Sequence, residues 1–223
     1  MNPPFTRNQF LEVFQNYNLT VWPMQVVLIL LGLTAIYFAV VRHKPSNNII
    51  AGVLCVLWLW MGVVYHFLFF RAINPAAVVF GSLFVLQGAL FAFSGLVRRS
   101  LSFEFRLDVY GITGAFLLLY SLVIYPIFGY FQGHGYPQSP TFGLPCPTTI
   151  FTFALLLWTD RRVPVYLLIV PFLWSLLGPS AAWSLGIIED VGLLIAGVCG
   201  TVLVFVRNRQ KWETEKAAET IPA

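Results

Sequence analysis

The segment QGHGYPQSPTFGLPCPTT, residues 132–149, decides the fold because it is the one long interior segment of the chain without an apolar run. It contains one of the three histidines, one of the three cysteines and four of the fourteen prolines. Long apolar segments lie on both sides of it, and such segments are typical of membrane helices. We therefore expect the membrane helices to be arranged around the loop that residues 132–149 form.

The composition excludes a soluble globular domain. Of the 223 residues, 58% are hydrophobic and only 10% are charged, whereas soluble domains carry roughly 25% charged residues. The chain is therefore predicted to be a polytopic all-α membrane protein whose main partner is the lipid bilayer. Its net charge of +4 is explained by basic loops on the cytoplasmic side, so no nucleic-acid partner is expected.

Three parts are predicted along the chain. Residues 1–20 form a periplasmic amphipathic helix, residues 21–206 a seven-helix transmembrane domain, and residues 207–223 a polar cytoplasmic tail that frays. In the first part, Thr6 and Gln9 have the spacing of a capping box, and apolar side chains recur at helical intervals. This helix is expected to lie flat in the membrane interface. The alternative is a lid over the mouth of the transmembrane domain.

Seven apolar segments and the positions of the basic residues predict the topology. Lys and Arg residues concentrate in every second connection, as the positive-inside rule requires. The N-terminus is therefore predicted outside and the C-terminus inside. A turn is predicted at residues 178–186, between the sixth and seventh segments. The segments extend over about residues 21–41, 49–70, 76–97, 109–131, 147–158, 163–177 and 187–206, and the basic clusters are Arg42/Lys44, Arg98/Arg99/Arg106, Arg161/Arg162 and Arg207/Arg209/Lys211.

The fifth apolar segment is too short for a full span. From Pro147 to Trp158 a helix rises only ~18 Å, against ~30 Å for the hydrocarbon core. Extending it back to Thr141 adds Pro145 and Pro147, which interrupt helical hydrogen bonding. We predict a half-helix that starts near Pro147 after a re-entrant, proline-rich loop, as in the discontinuous helices of transporters. The alternative is a proline-kinked helix in a locally thinned bilayer.

The predicted topology brings polar side chains of several segments to the outer side of the membrane. A small polar ligand or a metal ion is the expected occupant of the pocket between them. For a metal, His66, His134 and Cys146 offer ligands suited to zinc or copper, although their spacing matches no known metal motif. The candidate ligand-binding residues are His66, Arg71, Asn74, His134, Cys146, Thr148, Glu189 and Asp190.

Cys146 is the most specific of these candidates. Because it precedes Pro147, a helical conformation is disfavoured for it, and we predict it as the N-cap of the half-helix. The positive end of the helix dipole would favour the thiolate there, which suits a metal ligand or a nucleophile. The alternative is a small residue packed in a tight proline turn.

The other candidates also have structural alternatives. His66 is a functional candidate by its place inside an apolar segment, but it can also hydrogen-bond a neighbouring helix. Glu189 and Asp190 stabilise a first helical turn through the helix dipole, and at most one of these adjacent side chains is expected to face the pocket. Arg71 is expected to pair with that one.

Several activities are excluded by missing motifs. No predicted membrane segment contains a lysine, so a retinal Schiff base has no attachment point. The chain contains none of the motifs H-E-x-x-H, C-x-x-C and G-x-S-x-G, and no Walker A sequence. It also lacks the histidine set of ceramidase-like zinc hydrolases.

Three runs of the sequence resemble those of an uncharacterised family. They are WLWMGVVYH (residues 58–66), INPAA (residues 73–77) and PTFGLPCPTTIF (residues 140–151). Over residues 5 to about 206 the chain is similar to a bacterial family of multi-pass inner-membrane proteins, the domain of unknown function family 6064. The resemblance implies a multi-pass fold in the bacterial inner membrane. It carries over no substrate, cofactor or catalytic residue.

Three functional hypotheses follow from these features. The first is a transporter or receptor-like protein that binds a small polar ligand or a metal ion in an outward-facing pocket. The second is a membrane-embedded enzyme with Cys146 as nucleophile and a histidine as base, a pairing that no motif supports. The third is a structural subunit of a membrane complex whose loop docks a partner.

Overall fold

The fold is all-helical over residues 4–219, which the computed structural model describes. Extended backbone within these residues pairs only in two isolated bridges, Phe103 with Thr159 and Phe142 with Leu144. The α-helices of this part of the chain are α1 (Arg7–Thr20), α2 (Met24–Val40), α3 (Ser46–Trp60), α4 (Ala77–Ala92), α5 (Val109–Leu119), α6 (Tyr125–Phe131), α7 (Pro145–Leu157), α8 (Tyr166–Leu185) and α9 (Val191–Glu219).

Three helices continue into wider π-helical turns. α3 extends through Met61–Phe69 and a short 3-10 turn at Phe70–Ala72, and α4 extends through Phe93–Val97. The π-helical stretch Tyr120–Ile124 joins α5 and α6 into one long helix. Pro126 is the second residue after this stretch and has no N–H to donate to the preceding turn, which accounts for the loss of regular α-helical bonding there.

Five helices are long and apolar enough to cross a membrane, and α1 with α2 makes a sixth if a bend of 86° is counted within one span. Large apolar side chains are exposed along these helices, for example Val79, Ile112 and Val202. Lipid accommodates exposed apolar surface on this scale, whereas water does not. The prediction of an all-helical protein with several membrane-compatible helices is therefore confirmed. The five are Ser46–Ala72, Ala77–Val97, Val109–Phe131, Tyr166–Leu185 and Ile188–Ala217.

The short helix α7 lies at the centre of the bundle. All of its side chains except that of Cys146 are buried, and it packs against α5, α8 and α9. Its length is about 20 Å at 1.5 Å per residue. The short helix expected after the proline-rich loop is present, but it starts at Pro145 rather than near Pro147. Proline fits the first turn of a helix because the N–H that it lacks has no helical partner there.

The predicted turn at residues 178–186 is wrong. α8 remains helical through Pro179 to Leu185, and the chain reverses only at Gly186. Gly186 has a φ of 72°, in the left-handed region that glycine adopts without a steric penalty. The turn is therefore much shorter than the local composition suggests.

The predicted fraying of the tail is also wrong over the described residues, because α9 stays helical from Val191 to Glu219. Two polar side chains near its middle anchor it. Arg207 donates hydrogen bonds to the last carbonyl groups of α7, and the side-chain amide of Asn208 donates to the carbonyl group of Val163. These bonds fix the helix before it leaves the bundle.

Helix α1 packs across the end of α3. Its N-terminus has the predicted capping box, in which Thr6 Oγ1 accepts from the Gln9 N–H at 3.3 Å and the Thr6 N–H donates to Gln9 Oε1 at 2.8 Å. The Tyr17 hydroxyl accepts a hydrogen bond from the Trp60 indole at 2.7 Å, and the Tyr17 ring meets Tyr65 edge-on. Since Trp60 and Tyr65 belong to α3 and its extension, these contacts hold α1 against the bundle.

Candidate functional site

A cavity of about 390 Å³ lies where α1, the end of the α3 extension, the start of α4 and the start of α7 meet. Its walls are mostly apolar, and α8 contributes Trp174, Leu177, Gly178 and Ser180 to them. We call this cavity the aromatic pocket because seven aromatic side chains line it: Phe5, Phe10, Phe14, Tyr65, Phe70, Phe80 and Trp174.

The carboxyl group of Asp190 is the main polar feature of the aromatic pocket. Asp190 is buried and ends the 3-10 turn Ile188–Asp190 that precedes α9. Its Oδ1 accepts a hydrogen bond from the Tyr125 hydroxyl, and its Oδ2 accepts one from the Cys146 thiol, with Sγ at 3.4 Å. A buried carboxyl group needs such donors because it has lost its hydration. Tyr125 and Cys146 therefore hold Asp190 in place at the pocket wall.

The position of Cys146 in helix α7 differs from the predicted one. The N-cap of α7 is Leu144, and Cys146 is the second residue of the helix, so the predicted N-cap role is wrong. The Cys146 thiol lines the aromatic pocket and donates a hydrogen bond to the Asp190 carboxylate. Donation to a carboxylate disfavours loss of the thiol proton, whereas a nucleophile or a metal ligand acts as the thiolate.

His134 and Glu189 form a second buried pair, outside the aromatic pocket. His134 Nδ1 lies 3.5 Å from Glu189 Oε1, and both side chains are fully buried. Gly129 makes room for them, since a Cβ at that position would lie 3.2 Å from Glu189 Oε1 and 3.3 Å from His134 Nδ1. Burial, and secondly the positive charge of Arg7, lowers the pKa of His134. The neutral imidazole is therefore favoured, and the contact is not a strong ion pair.

His66 lies behind the wall of the aromatic pocket, in the π-helical extension of α3. Its ring is edge-on to Phe84 at 4.7 Å and to Trp174 at 5.3 Å between centroids. Within residues 4–219 neither of its ring nitrogens has a hydrogen-bond partner. Trp174 lines the pocket and His66 does not, so the indole separates this histidine from the cavity.

Arg71 is exposed at the end of the α3 extension. In the described part of the chain it forms no ion pair with Glu189 or Asp190, whose side chains face His134 and the Tyr125 hydroxyl instead. The predicted pairing of Arg71 with one of these acids is therefore wrong. The long cationic side chain remains exposed, where its charge costs least.

Of the candidates Asn74 and Thr148, only Asn74 lines the aromatic pocket. Asn74 lines the aromatic pocket, and its Oδ1 accepts a hydrogen bond from the backbone N–H of Ala76 at 3.0 Å. Thr148 is buried in α7 outside the cavity lining, and its Oγ1 accepts a hydrogen bond from the Gly143 N–H at 3.0 Å. Asn74 is thus part of the cavity wall, while Thr148 holds the loop that precedes α7.

The expected zinc or copper site has no geometric support. Among residues 4–219, no three His, Cys, Asp or Glu side chains are grouped so that they could hold a metal ion. His66 contacts aromatic rings, His134 faces Glu189, and Cys146 bonds Asp190. The three expected ligands therefore lie in three separate environments.

Tyr125 and Trp174 belong to the site although neither is among the candidates predicted from the sequence. The sequence does mark both residues as unusual, because each is an aromatic side chain with a polar tip inside an apolar segment rather than at its interfacial end. Tyr125 also directly precedes Pro126, where the helix is irregular. Since 17% of the residues are aromatic, membrane packing and interfacial belts conceal the few rings that line a cavity.

Together these features define a class of protein, an all-helical bundle with membrane-compatible helices and a buried carboxyl group in an aromatic pocket. The chain belongs to the family of unknown function DUF6064, whose model matches residues 7–215. All three runs that carried the sequence resemblance lie within the matched residues, so the resemblance is confirmed. No curated protein and no solved structure matches the chain.

Proposed function

We propose that this protein is a membrane protein that binds a small, mainly apolar molecule in the aromatic pocket, as a transporter or as a receptor-like binder. The cavity itself is the observation that carries the proposal. It has a volume of about 390 Å³ and apolar walls, with its polar groups concentrated at Asp190 and Cys146. Ligand sites typically combine apolar walls with a few placed polar groups. The lining favours a ligand with a larger apolar part than the small polar molecule expected from the sequence.

Charge placement supports an outward-facing pocket. The aromatic pocket lies beside the α3–α4, α6–α7 and α8–α9 connections. The basic clusters at Arg42, Arg98 and Arg161 lie in the alternate connections, at the other end of the same helices. Under the positive-inside rule the pocket end of the bundle faces outside.

This orientation completes the proposed topology. α2, the five long helices and the buried α7 are the seven segments, with the N-terminus outside and the C-terminus inside. α7 covers only part of the membrane thickness, and the loop before it enters the bundle from the outer side. We propose the bacterial inner membrane as the location of the protein because of the family resemblance. The exposed apolar side chains support a lipid environment.

A second cavity favours the transporter interpretation over the receptor-like one. It also measures about 390 Å³ and lies at the other end of α7, where Leu157 and several charged side chains, including Arg207 and Lys211, line it. α7 therefore separates two cavities at opposite ends of the bundle. Transport requires access to a central region from both sides of the membrane, whereas a receptor needs only one.

The enzyme hypothesis has less support. The Cys146 thiol donates a hydrogen bond to Asp190, and within residues 4–219 no hydrogen bond joins it to His66 or His134, whose ring nitrogens have no partners. A cysteine nucleophile requires a base within hydrogen-bond reach. No observation specifically favours a structural subunit.

Occupancy of the aromatic pocket can be measured at Cys146. This thiol lines the cavity, whereas Cys199 is exposed on α9 and serves as an internal reference. The full chain in lipid nanodiscs is treated with methyl methanethiosulfonate, and the modification of both cysteines is followed by mass spectrometry. We expect the neutral probe (4,4-dimethylpentyl)benzene to slow modification of Cys146 and to leave Cys199 unchanged, because only the first thiol is covered by a bound molecule.

A matched pair of variants tests whether the protection arises in the cavity. Ala76 lines the aromatic pocket, and Ala72 is exposed nearby but outside the lining. Ala76→Phe should abolish the protection because the added ring occupies the cavity, whereas Ala72→Phe should preserve it. If neither the neutral probe nor its ammonium isostere, 3-phenylpropyl-trimethylammonium, protects Cys146 in the unaltered protein, the proposed function is wrong.

A further inference from the structure

We propose that the aromatic pocket selects an organic cation, a molecule with a substituted ammonium group beside an apolar body. This inference rests on the proposed function because it specifies the ligand class of the same pocket. Its basis is the juxtaposition of one buried carboxylate, Asp190, with several aromatic rings in a cavity whose described lining contains no cationic side chain.

Asp190 is a buried acidic side chain without a cationic partner among the described residues. Within residues 4–219 its side chain contacts Tyr125 and Cys146, and no Lys, Arg or His side chain lines the pocket or forms an ion pair with it. Both partners can donate a hydrogen, so both oxygens of the ionised carboxylate would have a donor. A buried carboxylate of this kind is stabilised most by a cation, which a ligand would supply.

Four of the rings provide favourable surroundings for that cation. Tyr65 and Phe70 are stacked with their centroids 5.6 Å apart, and Trp174 packs edge-on to Phe80 at 5.5 Å. The face of an aromatic ring attracts cations, most strongly the face of Trp and most strongly for a cation removed from water. In the proposed complex a substituted ammonium pairs with the carboxylate and lies among the aromatic side chains that line the pocket, while its apolar substituents fill the cavity. An anion is repelled by both.

Two isosteric probes separate the effect of charge from the effect of shape. 3-Phenylpropyl-trimethylammonium and (4,4-dimethylpentyl)benzene differ only by a positively charged nitrogen in place of a carbon atom. Protection of Cys146 against methyl methanethiosulfonate is measured with each probe in nanodiscs of phosphatidylglycerol, a lipid without an ammonium group, relative to the unprotected rate of the same protein. The measured quantity is the half-protecting concentration of the neutral probe divided by that of the ammonium probe. Partitioning of the probes into lipid is the same for every variant, so it cancels when this ratio is compared between variants.

The variant Asp190→Asn tests the charge directly. We expect its ratio to be at least about tenfold lower than that of the unaltered protein, because the ammonium probe loses its counter-charge. Glu189→Gln is the matched control, since Glu189 is the adjacent buried acid, faces His134 and does not line the pocket. Its ratio should stay unchanged. If Asp190→Asn does not fold, Trp174→Leu takes its place and should weaken protection by the ammonium probe more than protection by the neutral one.

The outcomes distinguish this inference from the proposed function. Equal ratios in the unaltered protein and in Asp190→Asn, with both probes still protecting Cys146, overturn cation selection and leave the binding of apolar molecules intact. Protection by the neutral probe alone also overturns cation selection and leaves apolar binding intact. Protection by neither probe overturns both.

Discussion

His134 Nδ1 and Glu189 Oε1 lie 3.5 Å apart in a buried space that Gly129 leaves open. The contact joins the loop after α6 to the turn before α9. In the described residues neither nitrogen of His134 has a hydrogen-bond partner, so the pair depends on close packing rather than on a formed bond. A proton added to this imidazole would be a buried charge with incomplete compensation.

The pH dependence of stability should therefore contain a contribution from His134. Burial lowers its pKa in the folded protein, below the ~6.5 of an unfolded histidine. The unfolded state then binds the proton more readily, so the stabilisation is complete above about pH 6.5 and is lost as the pH falls through the lower folded pKa. Thermal unfolding in detergent at about pH 8 and pH 5 should show a smaller loss of melting temperature in His134→Gln than in the unaltered protein. The same pH dependence in both would contradict this assignment.

Arg207 should be essential for the stability of the buried end of α7. Its Nη1 donates to the Leu157 carbonyl at 2.7 Å and its Nη2 to the Leu156 carbonyl at 2.9 Å. Arg207→Met leaves these carbonyl groups unpaired and should lower the free energy of unfolding by about 2–4 kcal/mol. Arg209→Met removes an exposed pair with Glu213 and should cost less than about 1 kcal/mol. Equal losses in denaturant unfolding of the two variants would argue against the capping role.

The contact between α3 and α4 should not tolerate a methyl group at Gly62. A Cβ there would lie 2.8 Å from the carbonyl oxygen of Gly81, so the helices would have to separate. Gly62→Ala should destabilise the protein by roughly 1–3 kcal/mol. For Gly52 a Cβ would have no neighbouring atom within 4 Å, and Gly52→Ala should be neutral or stabilising by up to about 1 kcal/mol. A comparison of the two melting temperatures tests the close approach, and a stabilised Gly62→Ala would refute it.

The proposed orientation predicts opposite locations for the two termini. A reporter that is active only outside the cytoplasm should give a signal when fused before residue 7 and no signal when fused after residue 215. The arrangement of basic residues at Arg42, Arg98 and Arg161 is the physical reason, since such clusters are retained on the cytoplasmic side. Signals from both fusions, or from neither, would indicate an even number of crossings and would reject the seven-segment arrangement.

The helices could be predicted from the sequence where local signals determine them. The capping box of Thr6 and Gln9 and the long apolar segments depend only on neighbouring residues. The turn at residues 178–186 was predicted wrongly because Gly178 and Pro179 favour turns in isolation. In the fold, Gly178 packs tightly, with a Cβ there 3.2 Å from Leu193, and tertiary packing keeps α8 continuous.

The candidate site could be predicted only in part. Cys146 and Asp190 were both candidates, but the contact between them depends on how α7 meets the turn before α9. Tyr125 shares that contact from a third helix. The spacing of these residues along the chain does not reveal their arrangement, because they come together through helix packing rather than through one local motif. For the same reason, the sequence could not show that His66 and His134 lie apart from Cys146 in the fold.

The two cavities approach α7 from opposite ends, since Cys146 lines one and Leu157 lines the other. In the proposed orientation the insulating layer between them is as thick as α7 is long, about 20 Å, rather than the ~30 Å of the surrounding hydrocarbon. A membrane voltage would then fall over a thinner septum, with a field roughly half again as steep. Asp190 lies at the outer edge of that septum. A charged ligand that binds there from the outside has crossed little of this field, so the voltage would act mainly on its passage along α7, with up to ~2.3 kcal/mol per elementary charge and 100 mV for a complete crossing.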